Sequence, residues 1–142
     1  MAHTFTLRHR VEFSETDMAG IIHYSSYFRY MEVTEHAFLR SLGFSVVGMP
    51  GVGWPRVDVG CVYKSPLRFE DEVDVTLTVD EIRSRSIRYG FRFVRVAPGE
   101  PVVVATGHTT TVCVAHDPAT GQMKATAIPA DFAACLEEAP KP

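Results

Sequence analysis

Asp17 lies in Ser14-Glu15-Thr16-Asp17-Met18-Ala19-Gly20, a stretch rich in turn and capping residues between an alternating segment and a helical period. A carboxylate a few residues ahead of a helix sits near the positive end of the helix dipole, which favours its ionised form. The same helix start leaves backbone N–H groups without intrahelical partners, ready donors to a developing oxyanion. A carboxylate so placed could serve as nucleophile or general base, with amide donors beside it for a developing anion. Asp is equally at home in a plain loop-to-helix turn, so the segment alone leaves both readings open.

A second cluster is basic. Arg83, Arg85, Arg88, Arg92 and Arg95 place five positive charges in thirteen residues with no acid between them. Arginine forks bind phosphate oxygens through paired hydrogen bonds, although a run of surface charge is commonly just the wet side of a strand. His9, His36, His108 and His116 show no metal-ligand spacing with one another or with carboxylates, and there is no HExxH-like pattern, so no metal is expected. Cys61, Cys113 and Cys135 are too few and too scattered for a disulfide framework or a zinc site. Apolar flanks make them buried free thiols.

The elements that must hold these residues are readable from periodicity. Thr4 to Phe13 alternates, with Phe5, Leu7, His9, Val11 and Phe13 on one side, a strand signal. From about Tyr24 to Leu42 the period becomes helical. Tyr27, Tyr30, Met31, Thr34, Phe38 and Leu42 form one stripe, while Arg29, Glu32, Glu35, His36 and Arg40 lie mainly elsewhere. Gly43 suits a left-handed helix stop, and Ser25, Ser26 or the residues before them could cap the start. Strands follow: Arg56 to Lys64, the alternating Val73, Val75, Leu77 and Val79, then Ile87 to Val96, and a long one from Val102 to Ala115. A short terminal helix starts near Pro129. One long helix followed by mainly antiparallel strands is an α+β arrangement. The wide apolar arc of the helix, Phe28 and Val33 included, calls for a curved sheet wrapped around it. Apolar residues remaining on the sheet's other face and edges favour an oligomer.

With 142 residues, the chain has the size of one domain that buries roughly 70% of its unfolded surface. Residues 1–138 read as that domain and 139–142 as a disordered tail. No apolar run approaches the ~20 residues of a membrane span, and the N-terminus lacks the apolar centre of a signal peptide. A cytoplasmic location follows by default. The net charge of −3 argues against a nucleic-acid partner.

The segments Val11-Glu12-Phe13 and Thr16-Asp17-Met18-Ala19-Gly20-Ile21-Ile22-His23-Tyr24, with Tyr27, Tyr30 and Glu32, resemble the signature of hotdog-fold thioesterases. The branch they resemble is the 4-hydroxybenzoyl-CoA thioesterase type, with its catalytic Asp in the loop before the central helix. Tyr63-Lys64-Ser65-Pro66 with Phe69 and Asp71 is similar to that family's entry into its third strand. Arg83-Ser84-Arg85-Ser86 is similar to the basic turn after it, and Ile128-Pro129-Ala130-Asp131-Phe132 to the terminal helix start. The resemblance runs over about residues 4 to 136. It implies an antiparallel sheet of five to six strands around one long central helix, plus a short C-terminal helix.

The resemblance also implies roles. Asp17 is the catalytic carboxylate and the Tyr24 amide an oxyanion donor, with Gly20, His23, Tyr27 and Glu32 about the substrate. Arg83, Ser84, Arg85 and Ser86 meet the phosphates of coenzyme A, which enters as part of the substrate, so that no cofactor is expected. Related acyl-CoA thioesterases carry Tyr then His where this chain carries His23 then Tyr24, so His23 is expected either in catalysis or as a pocket-lining or buried, hydrogen-bonded side chain. Glu32 could read the acyl group or face solvent or an interface. The implied activity is hydrolysis of an aryl- or short- to medium-chain acyl-CoA. The implied assembly is a homodimer or homotetramer with sites at the subunit boundary. A hotdog-fold hydratase or dehydratase and a non-catalytic acyl-CoA-binding module are the alternatives.

Overall fold

The computed structural model describes residues 1–142. Helix α1 (Ser26–Ser41) supplies the core's spine, burying Tyr27, Tyr30, Met31, Thr34, Phe38 and Leu39. It stops where the stop signal stands. Gly43 takes φ +86°, and the N–H groups of Gly43 and Phe44 return to the carbonyls of Arg40 and Leu39, closing the last turn.

Around this helix lies an antiparallel sheet of five strands in the order β1-β4-β5-β6-β3. These are β1 (Thr4–Arg10), β3 (Arg56–Tyr63), β4 (Glu72–Ile82), β5 (Ser86–Ala97) and β6 (Val102–Val112). A small second sheet joins β2 (Val52–Gly53), β7 (Val114–His116) and β8 (Met123–Ala125) in the order β2-β7-β8. Alternation decides which face meets the helix. Val73, Val75, Leu77 and Val79 of β4 and Ile87, Tyr89, Phe91 and Phe93 of β5 are all buried on it. Leu77, Phe91 and Gly107 share one row, and the missing side chain at Gly107 leaves the room that Met31 occupies. This is the expected α+β hotdog arrangement. The short α2 (Ala130–Ala133) closes one end, with Phe132 packed edge-on to Phe44 and to Trp54 at centroid distances of 5.1 and 5.7 Å.

The structure corrects several local expectations. The first strand ends at Arg10 rather than Phe13. A capping box between Glu12 and Glu15 folds Phe13–Glu15 into a 3-10 turn and leaves Phe13 exposed. Helix α1 begins at Ser26, not Tyr24, and the Ser25 hydroxyl bonds the His23 ring instead of capping a helix amide. The long strand from Val102 breaks at Cys113, whose N–H goes to the Arg85 carbonyl, and the chain continues as β7 in the other sheet. Glu35, expected off the apolar stripe, is buried within α1 and paired at 2.9 Å with Arg56 of β3. Nor is the outer sheet face apolar. It carries the pairs Arg8–Asp74 and Arg10–Glu72 and the cluster Asp58–His108–Arg88. Exposed apolar side chains of this sheet include Val57, Val59 and Val62 on β3, one of its two edge strands. Ala139 donates its N–H to the Val79 carbonyl at 2.7 Å. No helix is long and apolar enough to cross a membrane.

Candidate active site

Asp17 stands at the head of a small hairpin between β1 and α1. Its N–H donates to the Ile21 carbonyl at 2.9 Å, Thr16 and Ile22 bridge, and the His23 N–H donates to the Glu15 carbonyl at 2.8 Å. Gly20 makes the reversal possible at φ +79°, a conformation that a side chain disfavours. One carboxylate oxygen of Asp17 accepts the Ala19 N–H at 2.8 Å and the other takes no protein donor. The second leg is tied down where the chain approaches β4, through the Ile22 N–H and the Leu67 carbonyl at 2.8 Å.

Beside Asp17 opens a cleft of about 390 Å³, walled by Ile21, Ile22, Tyr24, Tyr27, Tyr63, Lys64, Ser65 and Pro66. The Tyr63 hydroxyl donates to the Tyr24 carbonyl at 2.9 Å, and the Tyr63 ring meets Tyr27 edge-on at 4.9 Å. Burial pushes both phenols up to about 12, so each stays a neutral donor near pH 7. The Tyr24 N–H has no backbone acceptor, since the helical bonds begin after it. Asp17, an apolar wall and Tyr24, whose N–H has no backbone acceptor, thus line one cleft. Such an arrangement leaves a carboxylate free to act as nucleophile or base beside an apolar wall.

The other sequence-named residues fall outside it. Gly20 shapes the hairpin but does not line the cleft; its carbonyl lies 3.5 Å from an Arg68 amine. His23 turns to a neighbouring polar groove with Glu12, Ser14, Glu15, Thr16 and Arg29. Its Nδ1 is engaged by the Ser25 hydroxyl at 2.7 Å, and its ring stacks on Tyr24 at 4.4 Å. Glu32 is exposed on α1 and lines neither space. Arg83, Ser84, Arg85 and Ser86 form the β4–β5 turn. The Arg83 guanidinium pairs with Glu81, and the carbonyls of Arg85 and Ser84 accept the N–H groups of Cys113 and Ile128. Asp58, Glu81, Arg83, Ser86 and Arg88 share a polar hollow there. β4 runs about 33 Å at a rise of ~3.3 Å per residue, and it separates this turn from the Asp17 hairpin, so one chain does not bring the two together. No cluster of three or more His, Cys, Asp or Glu side chains is positioned to hold a metal ion.

Sequence reasoning missed the cleft's far wall. Tyr63, Lys64, Ser65 and Pro66 stood out as a motif, but nothing local marks them as neighbours of Asp17. Their position depends on the long-range tie between Ile22 and Leu67.

Known proteins resemble this chain in sequence and in fold. A protein of Aquifex aeolicus (strain VF5), provisionally named an esterase, is 39% identical over 107 residues, 74% of this chain and 80% of its own. The 4-hydroxybenzoyl-CoA thioesterase of Pseudomonas sp. (strain CBS-3) is 25% identical over 138 residues, 93% of this chain and 96% of its own. Among solved structures, the dynemicin thioesterase superposes with a TM-score of 0.87 at 26% identity, covering 94% of each chain. The model of the thioesterase-like superfamily matches residues 11–136, and the chain belongs to that family, as a hotdog-fold, thioesterase-type hydrolase related to the 4-hydroxybenzoyl-CoA thioesterases.

Proposed function

We propose that this protein hydrolyses an aryl- or short- to medium-chain acyl-CoA, with Asp17 as nucleophile or general base. The observation that carries the reading is the pairing of a half-engaged carboxylate with an aromatic-walled cleft at the start of α1. Acyl-S-CoA and water give the carboxylic acid and CoA-SH. Either Asp17 attacks the carbonyl carbon to form a mixed anhydride that water then opens, or it takes a proton from the attacking water. In both routes the carbonyl oxygen gains charge and the Tyr24 N–H donates to it; loss of such a donor costs roughly 3 kcal/mol of barrier. Tyr27 walls the acyl site. His23 and Glu32 stand away from the cleft in one chain and enter this reading only through a second copy.

The same holds for the coenzyme. The separation of Arg83–Ser86 from Asp17 supports a homodimer or homotetramer in which the turn of one copy meets the phosphates of a thioester bound at another. The exposed Val57, Val59 and Val62 on the free edge of β3 offer a surface for pairing. A cytoplasmic location accords with a coenzyme A substrate. The deciding experiment is single-turnover hydrolysis in heavy-oxygen water, with free thiol measured alongside. Label entering Asp17 indicates direct attack, and its absence indicates a base. Acyl-CoA consumption without thiol release would overturn hydrolysis itself.

A further inference from the structure

The Asp17 hairpin is held to α1 by one residue acting twice. The main-chain carbonyl of Glu15 accepts the N–H of His23, the residue next to Tyr24. The carboxylate of Glu15 accepts the Tyr30 hydroxyl at 2.6 Å, and the same oxygen takes the Glu12 N–H at 2.8 Å. Tyr30 is itself immobilised. It is 4% exposed, and its ring stacks on His9 of β1 at 4.6 Å with planes 13° apart. The Thr34 hydroxyl bonds its carbonyl at 2.7 Å. Burial raises the Tyr30 phenol well above its ordinary range, the Glu15 bond next, so the hydroxyl keeps the proton that it donates.

We propose that Glu15 and Tyr30 form a positioning strut that sets the distance between the Asp17 carboxylate and the Tyr24 amide. The logic is geometric. Asp17 follows Glu15 by two residues on one leg, Tyr24 follows His23 by one on the other, and Glu15 spans both legs while gripping the helix. A hairpin joined to α1 only through its own chain would let the two groups drift, and small misplacements cost reaction rate steeply. Neither residue lines the acyl cleft, so the strut acts on the chemical step and not on substrate affinity. The inference rests on the Asp17 reading given above.

The test is a double-mutant cycle with Tyr30→Phe and Glu15→Ala, read as kcat and KM on an acyl-CoA that the wild type turns over. Each single change is expected to lower kcat about tenfold, the weight of one charge-assisted hydrogen bond, with KM within twofold. The double variant should be no slower than Glu15→Ala alone. Glu15→Gln keeps an acceptor oxygen for Tyr30 and should recover most of the rate lost in Glu15→Ala. Amide exchange at His23 should speed up in Tyr30→Phe, a readout that needs no activity. Independent, multiplying losses, a change confined to KM, or unaltered His23 exchange would overturn the strut while Asp17→Asn remained inactive. Wild type without thioester hydrolysis, or an active Asp17→Asn, would overturn the parent reading and this one with it. Glu15 is half-buried at the surface, so its variants should fold even if Tyr30→Phe does not.

Discussion

At the Asp17 hairpin, a carboxylate with one uncommitted oxygen faces a wall of tyrosines, isoleucines and proline. At the Arg83–Ser86 turn every lining residue is polar, Arg83 is already drawn to Glu81, and solvent reaches the guanidinium freely. The first sets a single carboxylate beside apolar side chains, and the second surrounds its guanidinium with other polar and charged groups. A single chain therefore carries two half-sites of different physics. One is suited to a step in which charge develops on a carbonyl, the other to holding charge already present on a phosphate.

Substitutions can break that contrast. Asp17→Asn keeps size and the Ala19 turn bond but removes the reacting charge, and kcat should fall about a hundredfold or more with the fold intact. Rates close to wild type would end the assignment. Arg83→Ala combined with Arg85→Ala should raise KM for acyl-CoA about five- to tenfold with kcat little changed, since exposed charge-assisted bonds carry modest weight. That penalty should shrink as salt is added, whereas the Asp17→Asn loss should not. Equal salt dependence of the two would erase the distinction between the half-sites. Tyr63→Phe, which frees the Tyr24 carbonyl but leaves the aromatic wall, should cost about threefold to tenfold in kcat, the range of one neutral hydrogen bond.

Glu35 is the reference acid that neither half-site uses. Burial pushes its carboxyl from the ordinary 4.5 up to about 7, against the opposing pull of Arg56. The folded chain thus holds that proton more tightly than the unfolded one. The group's contribution to stability is full below pH 4.5 and is lost as pH rises through about 7. Thermal unfolding followed from about pH 5 to 8 should show the wild-type Tm declining relative to that of Glu35→Gln. Parallel Tm profiles would show that Glu35 titrates normally. The substitution measures what an acid-to-amide change does when no chemistry depends on it.

What could be read from the residues differed between these regions for a physical reason. The strand Val73–Val79 and the helix stop at Gly43 announce themselves because their signals are local: strict alternation, and a glycine after the last apolar turn. Asp17 and Tyr24 were readable because a motif of contiguous residues carries both. The break at Cys113 was invisible, since Thr109 to Val114 reads as one continuous strand and only the distant Arg85 carbonyl diverts it. Glu35 was set apart from the apolar stripe by its charge, although it stands four residues after Met31 and three before Phe38, both buried; Arg56 of another element supplies the partner that periodicity cannot show. His23 illustrates the limit within the motif itself. Its ring lines the polar groove beside the cleft, with the Ser25 hydroxyl on its Nδ1, a placement that the order of residues in the motif does not show.

Trp54 is the chain's single tryptophan, and its indole packs on Phe132 of α2, remote in sequence from the Asp17 hairpin. Intrinsic fluorescence is therefore a built-in monitor of whether the C-terminal segment is seated. A shift of emission to longer wavelength would report that segment lifting away, whatever state the cleft is in.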